Sequence, residues 1–217
     1  RRGAWKYRTT YGLDGAVASA DQTLALSLER ITDRVSGDLA RRWETDAVAL
    51  EYRGAFTNGL DVQFGVRHDD NSRFGTVTNW NAGVSWRIEG TPWRLHASAG
   101  TGLSYPEYSH ILGWPGSDGY PDTIGNPDLK PEASRSFDLG VEYTLLDGRG
   151  TLDLTWFREQ LQDEIEYSGV LLPNGTNFQN QSGTSRREGV EITYRHDITD
   201  SLTIGAAYTY LDATNPD

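Results

Sequence analysis

The sequence predicts an all-β protein that forms part of the wall of an antiparallel, up-and-down transmembrane β-barrel. Three observations predict this fold class. Extended stretches alternate apolar and polar residues with a period of two, most clearly from Phe137 to Leu145, so that each strand has one oily and one polar face. Short and long connections alternate along the chain. Tyr and Trp residues gather near both ends of the stretches, where amphipathic rings settle at membrane interfaces.

The composition of the chain excludes several other classes of protein. The chain has 217 residues, 7 Trp, 11 Tyr, no cysteine and a net charge of -11. No apolar run is long enough for a membrane helix, which excludes a helical membrane protein. The absence of cysteine excludes a disulfide framework and thiolate metal sites. The acidic balance argues against nucleic acid as a partner, because phosphates attract Lys and Arg.

Ten strands of about ten residues each are expected. In chain order, they are Trp5 to Ala16, Leu24 to Leu28, Val48 to Tyr52, Leu60 to Arg67, Trp80 to Ile88, Trp93 to Gly100, Phe137 to Leu145, Leu152 to Trp156, Val190 to Arg195 and Leu202 to Tyr210. The first has the weakest alternation. Beyond Trp156 the alternation is lost from Arg158 to Glu166, which predicts a bulge or a projection above the membrane.

Connections of two lengths interleave between these strands. The short ones lie near Asn58, Gly90, Gly148 and Thr199, and Asn58-Gly59 is a hairpin signal because both residues tolerate positive φ. The long ones are predicted at Arg30–Arg42, His68–Thr78, Thr101–Ser134 and Tyr167–Arg187. Membrane barrels have short turns at one end and long loops at the other.

Aromatic residues are predicted to form one girdle at each end. The short-turn end has Tyr52, Trp86, Trp93, Tyr143 and Tyr194, and the long-loop end has Trp43, Trp80, Trp156 and Tyr210. The opposite face is charged, with Asp61, Arg67, Arg87, Arg94, Asp138, Glu142, Glu191 and Arg195. Because each buried unpaired charge costs several kcal/mol, this face requires either a wide, wet lumen or a polar plug, which about ten strands alone cannot enclose.

One loop carries a resemblance to a known family. The run Gly-Asn-Pro-Asp-Leu-Lys-Pro-Glu from Gly125 to Glu132 precedes an alternating strand. It resembles the motif that enters a barrel strand in TonB-dependent outer-membrane receptors, and the chain is most similar to the cobalamin (vitamin B12) receptor-like subgroup from about Thr23 onward. Further stretches resemble barrel segments of that family, namely Arg67 to Gly75, Ala97 to Gly113 and Gly189 to Ala213.

The resemblance implies a ligand-gated importer of the Gram-negative outer membrane. Its barrel has about 22 strands around a plug, so this chain is expected to be an internal fragment that lacks the plug and the C-terminal strands. It is expected to leave two strand edges unpaired. The implied partners are outer-membrane lipid and lipopolysaccharide, a nutrient (cobalamin or a ferric siderophore), and TonB acting through the missing plug.

Three sets of candidate site residues follow. Exposed aromatics of the longest loop suit a large planar ligand, or else pack the loop onto its neighbours; they are Tyr105, Tyr108, Trp114 and Tyr120. Asp69 and Asp70 are calcium candidates, or else belong to a solvated acidic loop. The motif residues Gly125, Asn126, Pro127, Leu129, Pro131 and Glu132 are expected to shape the loop and set strand register.

Arginines of the long-loop side are candidates for lipopolysaccharide phosphates or an anionic ferric chelate, with ordinary rim charges as the alternative. They are Arg30, Arg34, Arg41, Arg42, Arg186 and Arg187. The four histidines lie far apart without metal-ligand spacing, and no catalytic set is visible, so no resident cofactor and no enzyme are predicted. A passive porin, a soluble β-sandwich or lipid-binding protein, and an enzyme within a barrel remain the alternatives.

Overall fold

The computed structural model describes residues 1–35, 41–116, 122–145 and 148–215. Its elements are the strands β1 Arg2–Gly12, β2 Gln22–Val35, β3 Arg41–Ala55, β4 Leu60–Asn71, β5 Gly75–Arg87, β6 Trp93–Ser104, β7 Glu132–Thr144, β8 Gly150–Gln162, β9 Ile165–Tyr167, β10 Phe178–Asn180, β11 Thr184–Thr199 and β12 Leu202–Thr214, with one short helix, α1 Tyr108–Leu112. Among the described residues, no helix is both long and apolar enough to cross a membrane.

Ten of the strands form a single antiparallel sheet in the order β1-β2-β3-β4-β5-β6-β7-β8-β11-β12. Each strand pairs with the next one along the chain, except that β9 and β10 form a separate ribbon between β8 and β11. This arrangement confirms the predicted up-and-down meander of ten strands. The register also explains the two-faced pattern, since residues opposite one another on neighbouring strands always share a face.

The convex face of the sheet is apolar and uncovered. One row runs from Leu139 through Trp156 and Val190 to Tyr210. Leu139 is 53% exposed and Tyr208 is 62% exposed. Within the described ranges no second layer of this chain packs on that face, so a β-sandwich is excluded and the apolar side is available to lipid.

Both lateral edges of the sheet are open. Within the part of the chain that the structure describes, β1 pairs only with β2 and β12 only with β11. Each edge therefore presents a row of backbone N–H and C=O groups that require further strands or another cover. This agrees with the expected partial wall.

Two predicted loops are largely strand. β2 and β3 are 14 and 15 residues long and run through most of Arg30–Arg42. β4 and β5 likewise extend through most of His68–Thr78 and leave only residues 72–74 between them. The apolar alternation stops in these segments because both faces are polar there, yet the backbone ladder continues. Lateral ion pairs such as that of Arg30 with Asp46, at 2.6 Å, accompany it.

The connections are therefore less regular than predicted. Residues 105–131 and 163–183 are long and lie at one end, whereas 72–74, at the same end, is a short turn. The opposite end has mostly short turns, but residues 13–21 form a longer connection there. Of the two alternatives predicted for Arg158 to Glu166, a bulge is absent up to Gln162, where β8 pairs continuously on both sides, and a projection above the membrane stays a prediction. A register shift lies instead between Asp197 and Thr199 in β11.

Candidate ligand-facing surface

The concave face of the sheet is polar and held by lateral ion pairs. Arg94 on β6 donates to both carboxylate oxygens of Glu142 on β7, at 3.0 and 2.7 Å. Arg67 on β4 reaches Glu29 on β2 at 2.7 Å, crossing β3. A hollow of about 750 Å³ follows this face from β2 to β11. Several charges predicted for the wet face, such as Arg67, Arg94 and Glu142, thus have partners of opposite charge along the wall, which lowers the cost of excluding bulk water from them.

An aromatic cluster closes the concave face at the long-loop end. Tyr108 of α1 stacks on Trp43 of β3, with ring centroids 4.0 Å apart, and Tyr105 stacks on Phe74 at 5.3 Å. The guanidinium of Arg73 lies 5.1 Å from the Trp43 ring centroid. Two of the predicted ligand residues, Tyr105 and Tyr108, therefore pack a loop segment against the wall beside a hollow of about 570 Å³.

The prediction that Trp43 belongs to the outer girdle is wrong. Trp43 lies on the concave face, in register with Asp33 and Arg2. The signal that places it is present in the sequence: Val48, Leu50 and Tyr52 face outward, so an odd-numbered residue of the same strand faces inward. Arg73 and Phe74 are absent from the predicted site because the sequence assigns them to a polar loop, whereas they lie at the tight turn between β4 and β5.

The remaining predicted aromatics fall elsewhere. Trp114 lies 5.9 Å from Phe178 and 6.3 Å from Tyr167, measured between ring centroids, and Trp114 is 45% exposed. Tyr120 lies outside the described residues. The four side chains predicted together are thus not one cluster: Tyr105 and Tyr108 face the wall, while Trp114 caps a second group at the β9–β10 ribbon. Ligand binding by any of them stays a prediction.

The motif loop joins the two long connections. The buried Asn126 amide donates to the Phe178 carbonyl at 2.8 Å, and its side-chain oxygen accepts from the Asp128 N–H at 2.9 Å. Asn180 exchanges hydrogen bonds with the Lys130 backbone. Glu132 accepts from the Ile165 N–H at 2.8 Å. Residues 126–132 and 163–180 are therefore pinned to each other as one unit.

Other motif residues support the same unit by packing. Leu129 is 4% exposed, and the Pro127 carbonyl accepts a hydrogen bond from Arg73. A Cβ on Gly125 would lie 2.3 Å from the Gly113 nitrogen, so only glycine fits there. Pro131 directly precedes β7 and ends the loop, since it cannot donate to a ladder.

Burial changes the acidity of both loop tyrosines that face the wall. Burial raises the pKa of Tyr105, and the nearby carboxylate of Asp69 raises it further. Burial also raises the pKa of Tyr108, with Asp33 as the second cause. Both phenols therefore stay protonated at neutral pH and present neutral hydroxyl groups to the hollow.

The two calcium candidates are strand residues of β4. Asp69 faces inward, is 6% exposed and accepts from Arg67 at both carboxylate oxygens. Asp70 is opposite Asp46 on the outer face. Among the described residues, no group of three or more His, Cys, Asp or Glu side chains could hold a metal ion. Calcium binding at this pair stays a prediction, and the two carboxylates do not converge here.

Several arginines of the long-loop side already have acidic partners. Arg30 pairs with Asp46, Arg42 with Glu44, and Arg187 with Glu159 and Glu164. Arg187 also faces inward, whereas Arg186 faces outward. The side chain of Arg41 lies outside the described residues. Fewer of these arginines are therefore free to bind an external anion than the sequence suggested.

The fold and this surface define a segment of transmembrane β-barrel wall with a charged interior and structured loops at one end. The family model described as TonB dependent receptor-like, beta-barrel matches residues 3–217. The chain belongs to this family. The resemblance inferred from the motif loop is thus confirmed, and the match begins well before Thr23, where the resemblance was expected to start.

Relatives and solved structures agree with this assignment. The chain is 30% identical to the vitamin B12 transporter BtuB of Vibrio vulnificus over 136 residues, covering 62% of this chain and 20% of the relative. It is 30% identical to BtuB of Photobacterium profundum over 159 residues, covering 70% and 24%. The crystal structure of the siderophore receptor PirA from Pseudomonas aeruginosa matches with a TM-score of 0.73 at 20% identity, covering 98% of this chain and 43% of that one.

These matches show how much of a whole receptor the chain spans. It spans between 20% and 24% of the length of the vitamin B12 transporters. Likeness to PirA at 20% identity concerns the fold. The relatives named are transporters and receptors, in keeping with a chain in which no catalytic set was visible.

Proposed function

We propose that this chain supplies wall strands and extracellular loops to an active importer in the outer membrane of a Gram-negative bacterium. The cargo is a scarce nutrient, either cobalamin or a ferric siderophore, and the energy comes through TonB acting on a plug. The chain contributes no catalytic step and needs no resident cofactor. Membership of the TonB-dependent receptor family supports the importer role, and the vitamin B12 transporters and siderophore receptors that the chain resembles support the choice of cargo.

The main observation behind the proposal is that one face of the sheet is apolar and the other is charged. The convex face exposes large apolar groups such as Leu139 and Ile204. The concave face is lined by charges that pair across strands, for example Arg94 with Glu142. A sheet that is apolar outside and polar inside suits a wall between lipid and a polar interior. Open edges at β1 and β12 require further strands to close it.

The long loops at one end of the sheet are the proposed ligand-binding part of the chain. The motif loop ties residues 105–131 to the β9–β10 ribbon, and aromatic rings line both sides of this unit. Rigid loops carry binding residues with a small entropy cost. We assign the ligand-contacting role to Tyr105, Tyr108, Trp114 and Tyr120.

Uptake by the full-length protein tests the proposal. The complete reading frame is expressed in a Gram-negative strain without receptors for either cargo, and accumulation of radiolabelled cyanocobalamin and of a panel of ferric siderophores is measured. One ligand is expected to accumulate when TonB is present and to stay at background in the matched TonB-deletion strain.

Equal accumulation in both strains would indicate a passive porin-type channel. Absence of the protein from the outer-membrane fraction would reject the proposed location. A loop variant refines the assignment: Trp114→Ala is expected to raise the half-saturating ligand concentration about threefold or more, with little change in maximal rate, because a stacking contact is worth roughly 0.5–1.5 kcal/mol. Leu171→Ala, at another exposed apolar residue of the loops, is the control.

A further inference from the structure

The tight turn between β4 and β5 has its backbone fixed by the Asn71 side chain. Asn71 is 6% exposed, and its side-chain oxygen accepts from the N–H groups of Arg73 and Phe74 at 2.9 and 3.0 Å. The amide of the same side chain donates to the Thr45 hydroxyl of β3 at 2.8 Å. The Ser72 N–H also donates to a β3 carbonyl, at 2.9 Å. The Arg73 side chain therefore extends from a backbone that β3 holds in place.

The Arg73 guanidinium contacts two aromatic rings and the motif loop at the same time. Its central carbon lies 5.1 Å from the Trp43 ring centroid and 5.5 Å from the Phe74 ring centroid, within the range of cation–π attraction. Its Nη2 donates to the Pro127 carbonyl of the motif loop. One side chain of a short turn thus joins the wall to a segment 54 positions away in the chain.

The two rings that Arg73 contacts are the ones on which the loop tyrosines stack. Tyr108 stacks on Trp43 and Tyr105 on Phe74. All four rings line the hollow of about 570 Å³, whereas Arg73 does not line it. A ligand in this hollow would therefore touch the rings and not the guanidinium, so any effect of Arg73 on the ligand passes through its neighbours.

Several polar atoms of this cluster are buried without a hydrogen-bond partner. They are Nε of Arg73, the Tyr105 hydroxyl and Nδ1 of His110. Within the described ranges Arg73 also forms no ion pair, whereas Arg67 pairs with Glu29. Native proteins leave few buried polar atoms unpaired, because each one costs free energy. Packing alone gives no reason for three of them together, whereas a surface kept for binding does.

We propose that Arg73 is a positioning residue for ligand binding. It holds both wall rings and the motif loop in one arrangement, so that Tyr105 and Tyr108 stand beside the hollow in their binding positions before a ligand arrives. Such preorganisation lowers the entropy cost of binding. The role rests on the proposed function, because it takes the ligand to bind at the hollow beside these two tyrosines.

Uptake by the full-length protein with Arg73→Gln and with Arg73→Lys tests this role. The probes are radiolabelled cyanocobalamin and ferric enterobactin. Both variants are expected to raise the half-saturating concentration roughly threefold to tenfold, with the maximal rate unchanged, because a cation–π anchor of the platform is lost. Lysine keeps the charge but loses the flat fork that stacks and donates at once. Arg135→Gln, at an exposed side chain of β7, is the control and should behave like wild type.

A second measurement needs no ligand. Amide hydrogen exchange of the purified, ligand-free full-length protein is expected to be faster at residues 105–112 and 126–130 in both Arg73 variants, and unchanged in Arg135→Gln. The central strands should exchange like wild type in all three variants, because the platform and not the wall has loosened. A heat-shift gel confirms that each variant is folded, and Arg73→Lys carries the test where Arg73→Gln does not fold.

Three results would overturn the inference. They are wild-type loop exchange in both Arg73 variants, a lower maximal rate with an unchanged half-saturating concentration, and wild-type affinity in Arg73→Lys with weakened binding in Arg73→Gln. The last result would make Arg73 a direct charge contact of the ligand. Wild-type protein that accumulates neither probe would reject the proposed function, whereas the exchange measurement would still decide whether Arg73 holds the loop.

Discussion

The imidazole Nε2 of His96 on β6 lies 2.8 Å from the carboxylate Oδ2 of Asp153 on β8, although β7 runs between these two strands. On β7 between them, Gly140 is in register with His96 and with Thr155 of β8, which lies two residues from Asp153. Thr155 donates to the other oxygen of the same carboxylate at 2.7 Å. The missing side chain of Gly140 thus leaves the space through which a polar contact crosses three strands of the concave face.

Gly140→Ala is expected to break this contact. The new Cβ would lie 2.2 Å from His96 Cε1 and 2.6 Å from the Thr155 hydroxyl oxygen, so the ring must move away from Asp153. We expect a loss of about 1–3 kcal/mol in unfolding free energy, measured by urea unfolding of the full-length protein. Gly205→Ala, whose Cβ would meet its nearest atom at 3.7 Å, is the control; equal losses in both variants would contradict the account.

Leu139→Arg distinguishes a lipid-facing from a water-facing sheet. Leu139 lies in the middle of β7 and is 53% exposed. In water, arginine at an exposed site would be nearly neutral, whereas at the lipid face near the midplane it costs about 2–4 kcal/mol. We expect much less folded protein in the outer-membrane fraction on a heat-shift gel. Ser136→Arg, on the concave face of the same strand, should leave that amount close to wild type.

Tyr105→Phe should be neutral to slightly stabilising at pH 7, by up to about 1 kcal/mol. Within the described part of the chain the Tyr105 hydroxyl is buried without a hydrogen-bond partner, so its removal leaves nothing unsatisfied. Tyr52→Phe is the matched contrast, because its hydroxyl donates to Gln22 at 2.9 Å, and it should cost roughly 1 kcal/mol. Thermal unfolding of both variants measures the difference, and a clear loss in Tyr105→Phe would argue against this packing.

The same tyrosine predicts an alkaline dependence of stability. Burial raises the pKa of Tyr105 above its ordinary value of 10.0, so above that pH the unfolded chain loses the phenolic proton before the folded protein does. The stability contributed by this group is full below about pH 10 and falls as pH rises through the folded pKa. Tyrosinate absorbance should show a late-titrating component that disappears in Tyr105→Phe.

Asn126→Ala should loosen the junction between the two long connections. Asn126 is 7% exposed. Loss of its side chain removes one of two side-chain donors to the Phe178 carbonyl, the other being the Thr176 hydroxyl, and removes the acceptor of the Asp128 N–H, at a cost of about 1–3 kcal/mol. Faster hydrogen exchange is expected at residues 177–180, with the central strands of the sheet unchanged. Asp128→Asn, at an exposed neighbouring side chain, should exchange like wild type; similar protection in both variants would show that the junction does not depend on the Asn126 amide.

The pattern of the sequence predicted the strands well where one face meets lipid and failed where both faces meet water. Phe137 to Leu145 alternates without error, and β7 lies there. Arg30 to Arg42 lacks the alternation, yet β2 extends to Val35 and β3 begins at Arg41. Apolar periodicity reports burial of one face, whereas a hairpin that rises above the membrane keeps its backbone ladder without needing that periodicity.

The candidate site was predicted only in part for a related reason. Tyr105 and Tyr108 were identified as loop aromatics, but their partners Trp43 and Phe74 come from strands and turns far away in the chain. The contact between Arg73 and the Pro127 carbonyl spans 54 positions. Local patterns contain no information about which loop folds back over which strand, so these pairings were out of reach.

The sequence by itself determined the number of strands in the main sheet, their order and the side of that sheet on which most side chains lie, because a period of two is a local property of extended backbone. Only the tertiary structure decided which charges pair across strands and that the motif loop is tied to the β9–β10 ribbon. Those features depend on register and on the curvature of the whole sheet, which bring together groups that no short stretch of sequence connects.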